Sequence, residues 1–240
     1  MNLTFLGTGD AVGTPKVGCS CENCTFAREL SIERLRTSLL VENGGRHLLI
    51  DTSPDLRRQL LSSGSPRIDA VIWTHGHYDH YSGYGEFYRI QDPPPVYAAD
   101  ETLSYCAPLF SFLSFEQHRL EPYVPFTLFG LSITLFPVNH PPVPSFGVRI
   151  DSPGGSVAYT GDTRADIPAP SKELLSAADL LVLDAIVPPQ IHLNKHMNSD
   201  EAARLAREAG PGDYRLVHLS HLIPWSLPHI ARDGECIRFP

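Results

Sequence analysis

Short hydrophobic runs alternate with polar loops along most of the chain, and these runs have the length and composition of buried β-strands. Several of them end at a His or an Asp, so polar side chains follow hydrophobic strands repeatedly. Helices are predicted at residues 54–63, 100–106 and 199–209. Strands are predicted at residues 3–7, 37–42, 46–51, 68–73, 96–98, 127–129, 133–138, 157–159, 180–184 and 214–219.

The order of these elements predicts how the fold is layered. Asn43-Gly44-Gly45 lies between two predicted strands and is a hairpin signal. The chain has no repeat, low-complexity tract or linker, and 240 residues suit a single α/β domain over residues 1–240. Active sites of layered α/β folds lie where strands end, so we expect the polar strand ends to meet. Two sheets with helices outside, an αββα four-layer sandwich, would bring them together.

Composition and charge narrow the range of partners. The chain is 42% hydrophobic and 19% charged, which is ordinary for a globular protein, and its net charge of −8 disfavours binding to nucleic acid. No stretch approaches the ~18 to 20 apolar residues needed to cross a bilayer. The first residues lack the basic region of a signal peptide. We therefore expect a protein of the cytoplasm that has no membrane partner.

One motif, His75-Gly76-His77-Tyr78-Asp79-His80, follows a predicted buried strand and carries three imidazoles and a carboxylate. His75 and His77 point to the same side and can hold one metal ion, whereas Asp79 and His80 reach toward a second. The alternative is a solvated, His-rich turn. The density of donors favours a site for two metal ions.

Four further donors lie at or after the ends of other predicted strands: His140, Asp162, His218 and His221. Each alone has an ordinary explanation, because histidines occur at surfaces and in cores and an Asp after Gly often forms a turn. Two metal ions with roughly four ligands each need more donors than the His-rich motif supplies. These residues are therefore candidates to complete it.

A second metal signal lies near residue 20, where Cys19, Cys21 and Cys24 have C-x-C-x-x-C spacing. Three thiolates need one more ligand to close a tetrahedral zinc site, and His221 is the best fourth donor. The alternative is three reduced cysteines without a metal. A closed Cys3His site is structural, so we expect an accessory zinc-binding loop over about residues 16–28.

The ordered motifs THGHYDH, His140, TGDT and a late His218 resemble those of the metallo-β-lactamase-fold hydrolases. The resemblance extends over almost the whole chain. It implies one metal on His75, His77 and His140, a second on Asp79, His80 and His218, and Asp162 as the bridge between them. It also implies that Asp51 organises the His-rich loop without binding metal. Mn or Zn are the expected ions, since His and Asp donors suit several divalent metals.

The Cys-rich segment sharpens this resemblance. A GCxCxxC segment with an HxSH ending is similar to the phosphoribosyl 1,2-cyclic phosphate phosphodiesterases of phosphonate degradation, and also to B-type proteins of pyrroloquinoline-quinone biosynthesis. It implies a phosphodiesterase that opens a small cyclic phosphodiester, either phosphoribosyl 1,2-cyclic phosphate or a 2′,3′-cyclic nucleotide. Hydroxide held by the metals and oriented by Asp79 would attack phosphorus. His196 would act as general acid, and Asp184 would orient either His196 or a ligand histidine.

Three other functions are consistent with these motifs. A tRNA 3′-processing endonuclease or a thioesterase like glyoxalase II would share the metal ligands, and a metal-dependent binding or sensor protein would not turn over a substrate. The basic residues considered for substrate phosphate are Arg34, Arg36 and Lys195. The aromatic residues expected to cover the cleft or to form a homodimer contact are Tyr105, Phe110, Phe112 and Phe115.

Overall fold

The computed structural model describes residues 1–240, which form thirteen strands and seven α-helices. The strands are β1 (Asn2–Gly7), β2 (Ser38–Asn43), β3 (Arg46–Ile50), β4 (Ala70–Ile72), β5 (Val96–Ala99), β6 (Gln117–Leu120), β7 (Phe126–Leu128), β8 (Leu131–Val138), β9 (Ser145–Ser152), β10 (Gly155–Tyr159), β11 (Leu180–Asp184), β12 (Asp213–Val217) and β13 (Cys236–Arg238). The helices are α1 (Glu22–Leu30), α2 (Leu56–Ser62), α3 (Tyr78–Tyr81), α4 (Phe87–Ile90), α5 (Asp100–Cys106), α6 (Ala169–Leu175) and α7 (Ser199–Ala209).

Two mixed sheets face each other. The first has seven strands in the order β13-β1-β2-β3-β4-β5-β6, and the second has six in the order β12-β11-β10-β9-β8-β7. The hairpin between β2 and β3 turns at Gly44 and Gly45, whose φ angles of 58° and 76° suit glycine. From β3 to β6 neighbouring strands are parallel, as are β10, β11 and β12. Parallel strands end at one edge of a sheet, so the loops that follow them gather there.

Three buried clusters define the layers. The cluster between the sheets holds 19 buried residues, among them Leu48 of β3 and Ile150 of β9. A second cluster packs the other face of the six-stranded sheet against α6 and α7, through residues such as Leu175 and Leu205. A third packs the seven-stranded sheet against α2, α5 and the segment after the His-rich loop, around Trp73. The fold is the predicted αββα four-layer sandwich in a single domain. None of the helices has the length and apolar character to traverse a bilayer.

The structure differs from the sequence prediction in several elements. The segment at residues 16–28 is a loop only as far as Cys21, because α1 begins at Glu22. The predicted helix at residues 54–63 is shorter, since α2 begins at Leu56. The elements that the pattern did not predict are α1, α3, α4, α6, β6, β9 and β13. Most of them are short, and β6 is a partly exposed edge strand without a hydrophobic run.

Candidate metal centre

The predicted metal-binding residues lie in loops at one edge of the two facing sheets. His75 follows β4, His140 follows β8, Asp162 follows β10 and His218 follows β12. His75 forms an isolated β-bridge with Ser145 at the start of β9, so backbone pairing holds two of these loops together. The ends of four strands therefore bring donors that are distant in sequence to one place, as the strand-end pattern predicted.

The first group of donors consists of His75, His77, His140 and Asp162, whose ligand-type atoms all lie within 4.8 Å of one another. The Nδ1 atom of His77 is 3.2 Å from Nε2 of His75 and 3.0 Å from Nε2 of His140. Oδ2 of Asp162 is 3.6 Å from Nε2 of His75 and 4.0 Å from Nε2 of His140. Three nitrogens and one oxygen thus surround a common point and could hold one metal ion.

The second group consists of Asp79, His80 and His218, joined by the same oxygen of Asp162. Nε2 of His80 is 3.4 Å from Oδ2 of Asp79 and 3.4 Å from Oδ2 of Asp162. Nε2 of His218 is 3.5 Å and 3.4 Å from the same two oxygens. Oδ2 of Asp162 therefore belongs to both groups.

These separations test whether the residues fit a pair of metal ions. A tetrahedral centre with metal–ligand bonds of about 2.0–2.1 Å places its donors roughly 3.4 Å apart, and the second group has this spacing. Nε2 of His80 is also fully buried without a hydrogen-bond partner, a state that is unfavourable unless something else binds it. The donor set therefore fits two divalent ions that share one carboxylate.

Hydrogen bonds outside the two groups set the direction of the imidazoles. The Nδ1 atom of His80 donates to Oδ2 of Asp51 at 2.7 Å, which leaves Nε2 facing Asp79 and Asp162. Asp51 is buried and also accepts hydrogen bonds from the backbone N–H and the hydroxyl of Thr74, both at 2.8 Å. Nδ1 of His140 donates to the carbonyl of Lys195 at 2.9 Å. Such partners fix the tautomer and orientation of metal-binding histidines.

The histidines of the site differ in the direction in which their surroundings shift their pKa. Burial lowers the pKa of His75 and lowers that of His77 to about 4, so both are neutral near pH 7. Burial alone would lower the pKa of His80, but Asp162, Asp79 and Asp51 raise it. The nearby imidazoles in turn lower the pKa of Asp162 despite its burial. In the protein alone, protonated imidazole balances the buried carboxylates; divalent cations would replace those protons.

His196 lies beside both groups of donors. Its ring centroid is 4.6 Å from that of His140 and 5.1 Å from that of His218. Nδ1 donates to Oδ2 of Asp184 at 2.7 Å, and Asp184 is fully buried at the end of β11. Asp184 raises the pKa of His196 against the lowering effect of burial. The Nε2 atom makes no hydrogen bond, and the side chain retains an exposed fraction of 12%.

The loop that carries His196 is fixed by the start of α7. Asn198 is the N-cap residue, and its side chain accepts hydrogen bonds from the backbone N–H groups of Asp200 and Glu201. The Glu201 carboxylate accepts the Asn198 backbone N–H in return, which completes a capping box. A local signal therefore places His196 two residues ahead of the N-cap and three residues ahead of the first residue of α7.

The Cys-rich segment forms a separate cluster with His221. Sγ of Cys19 and Sγ of Cys21 lie 3.5 Å and 3.4 Å from Nδ1 of His221, and Cys24 completes the group. Zinc bonds of about 2.3 Å to sulfur and 2.0–2.1 Å to nitrogen give donor separations near these values. The four residues therefore fit a closed tetrahedral site. It would join the N-terminal loop to the segment after His218.

Other expectations about side chains are corrected by the structure. Arg34 does not reach the site, because its guanidinium is buried and donates to the carbonyls of Ser220 and Ile223. Arg36 pairs with Asp55 at 3.1 Å instead. Phe110 is not an exposed cleft residue, since it packs in the core around Trp73. Thr74, which hydrogen-bonds Asp51, is a site residue that the motif did not single out.

Comparisons with known proteins agree with this architecture. Residues 46–219 match the family model described as "Beta-lactamase superfamily domain". A crystal structure of a diphosphatase from the PhnP family is 32% identical, with a TM-score of 0.89, and the alignment covers 100% of this chain and 98% of that one. An octanoyltransferase of Porphyromonas gingivalis is 30% identical over 244 residues, which are 96% of this chain but only 48% of that protein. This chain thus spans about half the length of that relative.

A ribonuclease Z of Mycobacterium bovis is 26% identical over 259 residues, which cover 91% of this chain and 85% of that protein. The family model covers most of the chain, and the similarity to the PhnP-family structure extends over all of it. The chain therefore belongs to the β-lactamase superfamily, and its two-sheet architecture is the metallo-β-lactamase fold.

Proposed function

We propose that this metal hydrolase is a dinuclear-metal phosphodiesterase that hydrolyses a small cyclic phosphodiester. One observation carries the proposal: Oδ2 of Asp162 lies within reach of two separate sets of imidazoles, and the spacing of both sets suits metal coordination. His75, His77 and His140 would hold one ion, and Asp79, His80 and His218 the other. Two divalent ions at such a site lower the pKa of a water molecule and offset charge on a phosphoryl group.

Asp79 would orient the attacking water. Its Oδ2 atom faces His80 and His218, whereas Oδ1 makes no hydrogen bond within the protein. That oxygen is free to accept a hydrogen bond from water and so to direct the water lone pair at phosphorus. Nearby His80 and His218 lower the pKa of Asp79 against the effect of burial, so it accepts rather than donates.

His196 would act as the general acid. Its Nδ1 proton is held by Asp184, which leaves Nε2 as the nitrogen available to a substrate, and the ring lies 4.6 Å from that of His140. In a phosphodiester hydrolysis the P–O bond to the leaving group breaks and an alkoxide must gain a proton. A proton on Nε2 would pass to that oxygen, which is the role of a general acid. Asp184 then stabilises the imidazolium form of His196 and fixes its ring.

The Cys3His cluster supports the same site at a distance. We infer that it binds one structural zinc ion through Cys19, Cys21, Cys24 and His221. His221 lies three residues after His218, so an ion there would anchor the loop that carries a donor of the active site. Thiolate donors select zinc over manganese, whereas the His and Asp donors suit both.

The test is an assay of the purified protein with Mn²⁺ or Zn²⁺. Substrates are bis-p-nitrophenyl phosphate, glycerol 1,2-cyclic phosphate and an acyl thioester. Metal-dependent hydrolysis of the diesters supports the proposal, and the H75A variant is expected to lose it. Thioester turnover without diester turnover would assign a thioesterase. Cleavage of a precursor tRNA in preference to small diesters would assign an endonuclease, and absence of all turnover would favour a binding protein.

A diphosphatase is the second candidate, because the 32%-identical PhnP-family relative bears that name. In a phosphoanhydride the leaving group is a phosphate, which needs less protonation than an alkoxide. A diphosphatase would therefore depend weakly on His196, whereas a cyclic phosphodiesterase would depend on it strongly. Comparing the H196A variant on a diphosphate and on a cyclic phosphodiester separates the two.

A further inference from the structure

A cavity of about 270 Å³ opens beside the candidate metal centre and is lined in part by its residues. It begins at Gly76 and His77 of the His-rich motif. Tyr105 of α5 and the segment at residues 142–144, which begins two residues after His140, also line it. The cavity therefore lies where the part of a substrate beyond the phosphorus would extend.

The aromatic wall is held in place from behind. A Cβ atom on Gly76 would lie 2.5 Å from Cδ1 of Tyr105, so the ring packs closely against the metal-binding loop. The ring of Tyr81 contacts it at a centroid distance of 6.3 Å in a T-shaped arrangement. Tyr105 is nevertheless 67% exposed, so a large part of the ring is open. A flat aromatic surface held in this way is a platform for stacking.

The ionisable side chains that line the cavity determine which substrate groups it can accept. Apart from His77, the ionisable lining residues are Tyr105 and Glu101, and no Lys or Arg lines the cavity. The Glu101 carboxylate makes no ion pair, and Arg119, which pairs with Asp100, does not line the cavity. A second phosphate group would meet a carboxylate here instead of a cation. An uncharged group with an N–H donor would be accepted.

The next groove offers no substitute for a phosphate. It shares residues 142–144 with the cavity and is also lined by Arg164. The Arg164 guanidinium makes a two-point ion pair with Asp166, which offsets its charge. The 5-phosphate of phosphoribosyl 1,2-cyclic phosphate therefore lacks an unpaired cation in either space.

We propose that the cavity binds the base of a nucleoside phosphodiester, with Tyr105 stacking on the base and Glu101 accepting a hydrogen bond from its amino group. This rests on the proposed phosphodiesterase function and selects the 2′,3′-cyclic nucleotides as its substrate class. Bases that carry an exocyclic amino group, such as cytosine, match the carboxylate. Uracil presents a carbonyl oxygen at the same position, which the carboxylate disfavours.

The first experiment measures specificity in the metal-loaded protein. Its substrates are cytidine 2′,3′-cyclic phosphate, uridine 2′,3′-cyclic phosphate, phosphoribosyl 1,2-cyclic phosphate and glycerol 1,2-cyclic phosphate, which has no base. We expect kcat/KM to be highest for the cytidine compound and at least about 10-fold lower for the glycerol compound, since base–aromatic stacking has roughly this effect or more. Equal values for all substrates, or a preference for the phosphoribosyl compound, would overturn the inference.

Variants of the two proposed contacts give the second test. Y105A is expected to lower the cytidine-to-glycerol ratio of kcat/KM by roughly 10- to 100-fold, whereas Y105F should preserve it. E101Q is expected to reduce the preference for cytidine over uridine. Y88A is the matched control, since Tyr88 is 54% exposed but does not line the cavity. A ratio unchanged in Y105A would contradict the stacking role.

A binding measurement separates failure of this inference from failure of the proposed function. Calorimetric titration of the metal-loaded protein with cytidine 3′-monophosphate and with glycerol phosphate needs no turnover. If no diester is hydrolysed but the cytidine compound binds more tightly and Y105A weakens it, the phosphodiesterase proposal fails and the base-binding cavity stands. If diesters are hydrolysed but the two ligands bind equally, only the cavity assignment fails.

Discussion

Asp51 and His80 are joined by a 2.7 Å hydrogen bond that fixes which imidazole nitrogen faces the candidate metal centre. The pair is fully buried, and Asp51 has a φ angle of 62°, a left-handed conformation that Asp tolerates better than most residues. Its backbone N–H donates to the carbonyl of Ile72 in β4, and its carboxylate also binds Thr74. The end of β3 is thereby tied to the loop that follows β4.

The first prediction concerns this pair. D51A should weaken metal binding at the site of His80 by about 10- to 100-fold, because an unsupported imidazole loses its orientation and basicity. The site of His75 and His77 should be affected less. Competition with a chromogenic chelator measures both affinities. D55A is the control, since Asp55 pairs with Arg36 away from the centre; equal loss in D51A and D55A would argue against a specific role.

The second prediction concerns His196. H196A should lower kcat for a cyclic alkyl phosphodiester by roughly 10²- to 10⁴-fold, with a smaller loss for a diester that releases p-nitrophenolate. The reason is that a good leaving group needs less protonation. Metal content, measured by elemental analysis, should stay at the wild-type value.

The control for His196 is H192A, a substitution in the same loop whose side chain is 75% exposed. It should behave as the wild type on both substrates. Equal losses of H196A on good and poor leaving groups would contradict general-acid catalysis and would point to substrate positioning.

The third prediction concerns the Cys3His cluster. C21S should remove one zinc ion per chain and lower the melting temperature by about 5 °C or more, which corresponds to roughly 2 kcal/mol for a chain of this size. C236S is the matched control, because Cys236 is exposed and outside the cluster. Elemental analysis and calorimetry check both. Unchanged zinc content in C21S would mean that the cluster does not bind zinc.

Local signals explain why parts of this protein were predictable from sequence. The start of α7 is encoded within four residues by Asn198 and Glu201, and the structure has the predicted helix over Ser199–Ala209. The strand at Leu180–Asp184 is an uninterrupted apolar run that ends in a carboxylate, and it forms as predicted. In both cases the residues that determine the element lie inside it.

The features that were predicted wrongly or missed have the opposite origin. They depend on contacts with residues that are distant in sequence. Arg34 resembles a surface cation in the sequence, yet its partners are carbonyl oxygens nearly 190 positions away, at Ser220 and Ile223. The helix α1 starts at a Cys21 N-cap without a side-chain capping bond, so no local signal marked it. The convergence of the strand ends was expected from topology, but individual distances require the packed sheets.

The last prediction concerns pH and Asp233. Its carboxylate accepts hydrogen bonds from the Thr8 hydroxyl and the Leu35 backbone N–H, both at 2.7 Å. Burial raises the pKa of Asp233 to about 7, well above its ordinary value of 3.8. The folded protein therefore binds a proton that the unfolded chain releases. Stability from this group is present below about pH 4 and is lost as the pH rises to about 7.

D233N carries no titrating group at this position, so the difference in melting temperature between wild type and D233N isolates the effect. We expect the melting temperature of the wild type, relative to that of D233N, to fall by a few degrees between pH 5.5 and pH 8. Scanning calorimetry at matched ionic strength measures this difference. The Thr8 carbonyl also accepts the backbone N–H of Leu219, next to His218, so Thr8 connects Asp233 to a segment that supports the centre. A difference that stays constant across this pH range would show that Asp233 titrates with an ordinary pKa.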